Sequence, residues 1–277
     1  MSPLEAERLR YADEVLRGIG GDTQRLHDAF AQTPRERFVG SAPWPLVGHD
    51  IGRVWSSDPH ELYQDVLVSL AAERGINNGQ PSLHARCLAE CDPHLGETVL
   101  HVGAGTGYYS AILARLVGEH GRVIAYEIEA DLAARAEANL TPWPQVEVRA
   151  VSGATPPLPS CDVIYVSAGA THPVAAWLDA LHLHGRLMFP LTADAGSGCM
   201  LLVTHRSERA YAARALMRVS FIACIGARDE RAAAALRRAF ALQPVEAVRS
   251  LHRDDQANDS AWCVGEGWWL STRPAEM

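Results

Sequence analysis

Residues 98–107 read TVLHVGAGTG, an apolar strand that runs directly into a Gly-Ala-Gly-Thr-Gly turn, and YYSAILARLVG (108–118) continues from it with helical spacing. No other stretch limits the possible folds as strongly. Glycine lets the chain turn tightly off the strand, lets its backbone approach a ligand, and aims the following helix N-terminus at that ligand. The strand is apolar on both faces, so it needs cover on both faces, as in a parallel sheet flanked by helices.

The rest of the chain agrees with such a sheet. From residue 82 the pattern predicts helix 82–91, strand 98–102, helix 108–118, strand 122–127, helix 129–139, strands 146–150 and 163–168, helix 173–181 and strand 186–191. Two further strands are expected at 199–206 and 209–221, antiparallel at one edge. An Ala/Arg-rich helix follows at 229–242, and one strand-like piece with Trp262, Trp268 and Trp269 lies within 245–277. Before this region, residues 4–18 and 23–32 form amphipathic helices, the first stopped by Gly18 to Gly21. SAPWP (41–45) and the polar stretch 49–60 read as irregular loop.

Glu127 closes the second strand 20 residues beyond Gly107. A carboxylate at that place is positioned to accept hydrogen bonds from both hydroxyls of a ribose, so a nucleoside-containing cofactor is expected. A dinucleotide would want G-x-G-x-x-G, but position 108 is Tyr, and its ring at the helix start obstructs a pyrophosphate. S-adenosylmethionine carries no phosphate and suits the turn better. All 25 basic residues are Arg, against 33 acidic ones, for a net charge of −8. Without Lys there is no Schiff base and no phosphate-loop Lys, and without a basic excess nucleic acid is disfavoured as a partner. The six Cys show no metal-ligand spacing and no disulfide framework, so no metal is expected. With no signal peptide and no membrane-length apolar run, the sequence points to a reduced, soluble, cytoplasmic protein.

Several motifs together carry a family resemblance: PRERFV (34–39), GINNGQPSLHA (75–85), VLHVGAGTGYYSAILARLVG (99–118), VIAYEI (123–128), CDVIYVSAGA (161–170) and GRLMFPL (185–191). Over roughly residues 10–225 the chain resembles the protein-L-isoaspartate O-methyltransferases. The resemblance implies an α/β fold, a Rossmann-like methyltransferase sheet with helices on both faces. A helical N-terminal segment (1–60) would precede the core (61–225), and a C-terminal extension (226–277) would pack on it. The implied activity is S-adenosylmethionine-dependent methylation of a carboxylate on a peptide or protein. Gly103, Gly105, Thr106, Gly107 and Tyr108 would form the cofactor turn and Glu127 would hold the ribose. His84 and the loop residues Asn77, Asn78 and Gly79 would approach the cofactor, and Ser152 and Gly153 would lie beside the adenine.

Two departures stand out. His101 and Ser152 replace carboxylates of the family pattern, which makes the cofactor pocket less acidic. Gly79 stands where the family places a serine that touches cofactor and substrate. Gln80 and Ser82 are the remaining candidates for catalytic contacts, while Ser82 equally suits the cap of the helix that starts there, and Asn-Asn-Gly equally suits a plain turn. A carboxylate acceptor is ionised at neutral pH and needs orienting donors rather than a base; an alcohol or amine would need one, with His84 as candidate. A small-molecule acceptor on the same scaffold, or a cofactor-binding protein without catalysis, stays open.

Overall fold

The computed structural model describes residues 3–48, 52–194 and 197–275. In chain order the elements are α1 (Pro3–Val15), α2 (Gln24–Gln32), β1 (Trp44–Gly48), β2 (Gly52–Ser56), β3 (Leu67–Ala71), β4 (Ile76–Asn77), α3 (Pro81–Cys91), β5 (Thr98–Val102), α4 (Tyr108–Val117), β6 (Arg122–Tyr126), α5 (Ala130–Asn139) and β7 (Val146–Arg149). They continue with β8 (Cys161–Val166), α6 (Ala175–Ala180), β9 (Leu181–Asp194), β10 (Ser197–Ser207), β11 (Ala210–Val219), α7 (Glu230–Leu242), β12 (Ser250–His252), β13 (Ala261–Gly265) and β14 (Trp268–Ser271). Contacts group these elements into two units, one of residues 1–97 and 104–151 and the other of 98–103 and 152–277.

In the first unit, α2 buries Leu26, Ala29 and Phe30 along one face, as its spacing requires. Helix α4 is buried at every position except Arg115, so it behaves as a core helix rather than an amphipathic one. β6 and β7 pair in parallel from Val123↔Val146 to Tyr126↔Arg149. β6 is buried from Val123 to Tyr126, which accounts for its continuous apolar run. A small sheet of order β2-β1-β3-β4 lies in the same unit. This corrects the expected loop over SAPWP and 49–60. β1 and β2 form an antiparallel pair from Trp44↔Ser56 to Gly48↔Gly52. Pro45 and a mostly exposed β2 hid these strands, because neither shows the alternation that marks a half-buried strand. Residues 49–51, also within that stretch, lie outside the described residues.

In the second unit, eight strands run in the order β13-β14-β12-β11-β10-β9-β8-β5. β5, β8 and β9 are mutually parallel, and the strands from β9 to β13 are antiparallel. The antiparallel pair β10–β11 agrees with the sequence in direction but is not at the sheet edge, since β12, β14 and β13 extend beyond it. The single strand-like piece expected in 245–277 is therefore three strands. α7 begins at Asp229, whose carboxylate accepts from Ala232 N at 2.7 Å. The helix buries Ala232, Ala233, Leu236 and Ala239 and packs on β9 and β13. All six cysteines are free, buried thiols.

Candidate active site

The first unit carries the Gly105–Glu127 end of the turn. Glu127 directly follows β6 and is buried. Its Oε2 accepts from Gly105 N at 2.7 Å and its Oε1 from Glu129 N at 2.9 Å. Burial pushes this carboxyl above the usual carboxylate range, and the N–H groups of Glu129 and Gly105 pull it back. Each oxygen keeps a lone pair for a further donor, as two ribose hydroxyls would require. Gly107 N-caps α4 at φ +96°, and a Cβ there would come within 2.7 Å of Leu140 Cδ1. Only glycine serves at that position, for conformation and for space.

Two expected turn contacts have other work. Thr106 is buried, and its hydroxyl donates to Phe38 O at 2.6 Å, tying the turn to the PRERFV segment. Tyr108 corrects the expectation of a ring standing over the turn. Its ring is buried 5.5 Å from Phe38 and 5.0 Å from Tyr109, with its hydroxyl 3.4 Å from that of Tyr11. It faces an aromatic core because α4 turns that side toward α2, whose Phe30 it also meets. Tyr108 therefore sterically excludes nothing at the turn, and the disfavouring of a pyrophosphate rests on the missing third glycine alone.

The loop expected to meet the acceptor, residues 77–82, begins at the end of β4. Asn77 Oδ1 accepts from Gly79 N at 2.9 Å, a local turn. Asn78 is buried; its N donates to Val68 O at 3.0 Å, and its Oδ1 accepts from Val68 N at 2.7 Å and from Arg35 Nη2 at 3.5 Å. Gly79 lies at φ +75°, and a Cβ there would come within 2.3 Å of His84 Nε2. His84 is itself buried and stacked on Tyr109 at 3.7 Å, while the Tyr109 hydroxyl donates to Gly79 O at 3.3 Å. The missing serine side chain thus has its place filled by an imidazole edge.

Gln80 and Ser82 are brought together by a residue that sequence reasoning missed. Asp65 accepts from Gln80 Nε2 at 2.7 Å, from Ser82 Oγ at 2.6 Å and from Ser82 N at 2.8 Å. Ser82 consequently does not cap α3. Helix α3 starts at Pro81, Ser82 already lies in its first turn, and Asp65 satisfies the amide from outside. An isolated acid 15 residues upstream carries no local signal. Arg35, named only as part of PRERFV, is fully buried and holds the same segment: its Nη1 donates to Leu62 O at 2.5 Å and Gln64 O at 3.0 Å, and its Nη2 to Val66 O.

The second unit carries the other expected contacts. Gly103 follows β5 with the Ser167 and Ala168 atoms nearest to it at 3.6 and 3.7 Å from a built Cβ. His101 is buried, and its Nε2 lies 3.1 Å from Ser167 Oγ. Burial pulls its imidazole down to about 3, so it is neutral at physiological pH and adds no charge where the family has a carboxylate. Ser152 Oγ accepts from Ala154 N at 3.2 Å. Gly153 O accepts from the buried Trp177 Nε1 at 2.7 Å, and a Cβ on Gly153 would meet Val102 Cγ1 at 2.4 Å. Gly153 therefore serves close backbone packing against β5.

A glycine turn at a helix N-terminus, with a buried carboxylate accepting from its backbone, has the form of a nucleoside-binding site of the Rossmann-like class. The turn fits such a nucleoside: a Cβ built on Gly105, at φ +58°, would make only an ordinary contact, with Leu70 Cδ1 at 3.7 Å, so no backbone or side chain crowds the turn there. The chain belongs to the family described as protein-L-isoaspartate(D-aspartate) O-methyltransferase (PCMT), whose model matches residues 14–229. It is accordingly an S-adenosylmethionine-dependent O-methyltransferase. A protein-L-isoaspartate O-methyltransferase 1 of Rhodopseudomonas palustris is 33% identical over 223 residues, covering 80% of this chain and 84% of its own. The protein-L-isoaspartate O-methyltransferase of Thermotoga maritima is 31% identical over 62% of this chain, which spans only about half (51%) of that relative. A solved Plasmodium falciparum structure, titled a protein-L-isoaspartate O-methyltransferase in complex with S-adenosyl-L-homocysteine, shares the fold with a TM-score of 0.63. It is 18% identical and covers 79% of this chain and 98% of that one.

Proposed function

We propose that this enzyme methylates a carboxylate oxygen of a peptide or protein, with isoaspartyl residues as the acceptor its family points to. The observation that carries the reading is that the matched span, residues 14–229, contains both the Gly105–Glu127 joint and the acceptor loop 77–82. Gly105 and Glu127 hold the cofactor at its ribose, with Asn77, Asn78, Gly79 and His84 toward its methyl end. Bound S-adenosylmethionine supplies a methyl group on a sulfonium sulfur, an electrophile that needs no further activation. The chain's own residues then have to hold the acceptor carboxylate in line and exclude water. Gln80 and Ser82 orient it, fixed by Asp65. Because the carboxylate arrives ionised, no proton has to be removed.

A second reading has one observation in its favour. Gly79 and the His84 edge that fills its side-chain space alter the acceptor contact, which favours a dedicated acceptor, peptide or small molecule, over general isoaspartyl repair. The two readings separate on a pair of synthetic peptides identical but for one isoaspartyl or aspartyl linkage, incubated with methyl-labelled cofactor. Label on the isoaspartyl peptide alone is the expected result. Equal labelling, or none with cofactor binding intact, would leave the dedicated acceptor standing instead. The buried thiols support a reducing compartment, and we place the enzyme in the cytoplasm, with residues 61–225 as its methyltransferase core.

A further inference from the structure

Asp65 is half-buried beneath the exposed Gln80, and its three hydrogen-bond donors are all uncharged. Among the described residues it forms no ion pair. Arg35, the buried cation that holds the segment carrying Asp65, spends its Nη1 and Nη2 on the carbonyl oxygens of Leu62, Gln64 and Val66 and on Asn78 Oδ1. One of its three donors, Ser82 N, belongs to the first turn of α3, where the helix end also favours a carboxylate. A carboxylate is thus held at the acceptor loop with no cation paired against it.

We propose that Asp65 sets the charge preference of the acceptor site. An acceptor with a second carboxylate beside the methylated one is disfavoured, and one with a neighbouring cation is favoured. The assignment rests on loop 77–82 being the acceptor loop, as proposed above. The reacting carboxylate is common to all acceptors and cancels from the comparison, so only the flanking charge discriminates. At a separation of about 8 Å, one unit of flanking charge changes kcat/KM by about twofold at the dielectric of bulk water and about 30-fold at that of a protein surface. About fivefold is expected for an exposed flanking residue between those limits. Asp65 is here a specificity-determining and positioning residue. The same three hydrogen bonds that bring its charge to the loop also fix Gln80 and Ser82.

Three acceptor peptides test this, identical except for Glu, Gln or Lys at the residue after the methylated one. The wild-type enzyme is expected to rank them Lys over Gln over Glu, about fivefold per step and mainly in KM. Asp65→Asn keeps the shape and one of the two accepting oxygens, and is expected to compress the whole range to below about threefold. Raising ionic strength from about 0.01 M to about 1 M is expected to compress the wild-type range in the same way. That salt series decides the matter alone if the variant does not fold. A wild-type ranking that is flat, or one that Asp65→Asn and salt both leave intact, overturns the charge role while leaving the acceptor loop in place. Methyl transfer to none of the three, with cofactor bound, overturns the loop assignment and this proposal with it.

Discussion

Glu127→Ala is expected to weaken S-adenosylmethionine binding about 10- to 100-fold, measured by calorimetric titration. A hydrogen bond to a charged group contributes roughly 1.5–3 kcal/mol, so the net loss of one ribose hydroxyl bond to Glu127 accounts for that range. The alanine also leaves Gly105 N and Glu129 N without their present acceptor, so the turn itself loosens. Glu127→Gln separates these effects. Its carbonyl oxygen still accepts one backbone bond, and its amide cannot accept, so an intermediate loss is expected. Affinity unchanged in both variants would mean that the ribose is held elsewhere.

The second large effect is structural. Arg35→Ala is expected to lower the melting temperature by about 10 °C, followed by circular dichroism. Truncating a fully buried guanidinium leaves the carbonyl oxygens of Leu62, Gln64 and Val66 without their donor. Each buried carbonyl left without its donor costs roughly 1–3 kcal/mol, and about 2–4 °C accompanies each kcal/mol in a chain of this size. Arg35→Lys should recover little of this. An ammonium group donates from one point, whereas the planar guanidinium reaches several carbonyls across its fork. The same variants should lower methyl transfer, because Arg35 holds the segment from which Asp65 clamps Gln80 and Ser82. A shift below about 2 °C would show that those carbonyls find other donors without cost.

These two residues also mark the boundary of what the sequence makes legible. Glu127 is legible because a strand, a glycine turn, a helix and the next strand end set its place by local periodicity alone. Arg35 and Asp65 act across 27 to 31 and 15 to 17 residues of chain, through bonds that depend on tertiary packing. No local pattern announces such bonds. Tyr108 shows a related limit. Its position at the start of α4 follows from the sequence, but which neighbour its side faces does not, and that neighbour is an aromatic cluster. Some of what went unread was nonetheless present. The β13–β14 hairpin turns through Glu266 and Gly267, with Gly265 paired to Trp268 and Gly267 at φ +72°. A two-residue loop ending in glycine between apolar runs is a recognised hairpin signal. In contrast, β2 exposes four of its five residues and pairs only along β1, so nothing in its composition distinguishes it from a loop.

Methyl transfer to a carboxylate oxygen is the central property proposed for this enzyme. Mass spectrometry of a methylated acceptor before and after mild alkali tests this most directly. A methyl ester is expected: a gain of one methylene mass that alkali removes completely, returning the acceptor to its original mass and releasing methanol. A methyl group that survives alkali would place it on nitrogen or on an alcohol oxygen. It would contradict the carboxylate account and demand the base that this chemistry does without.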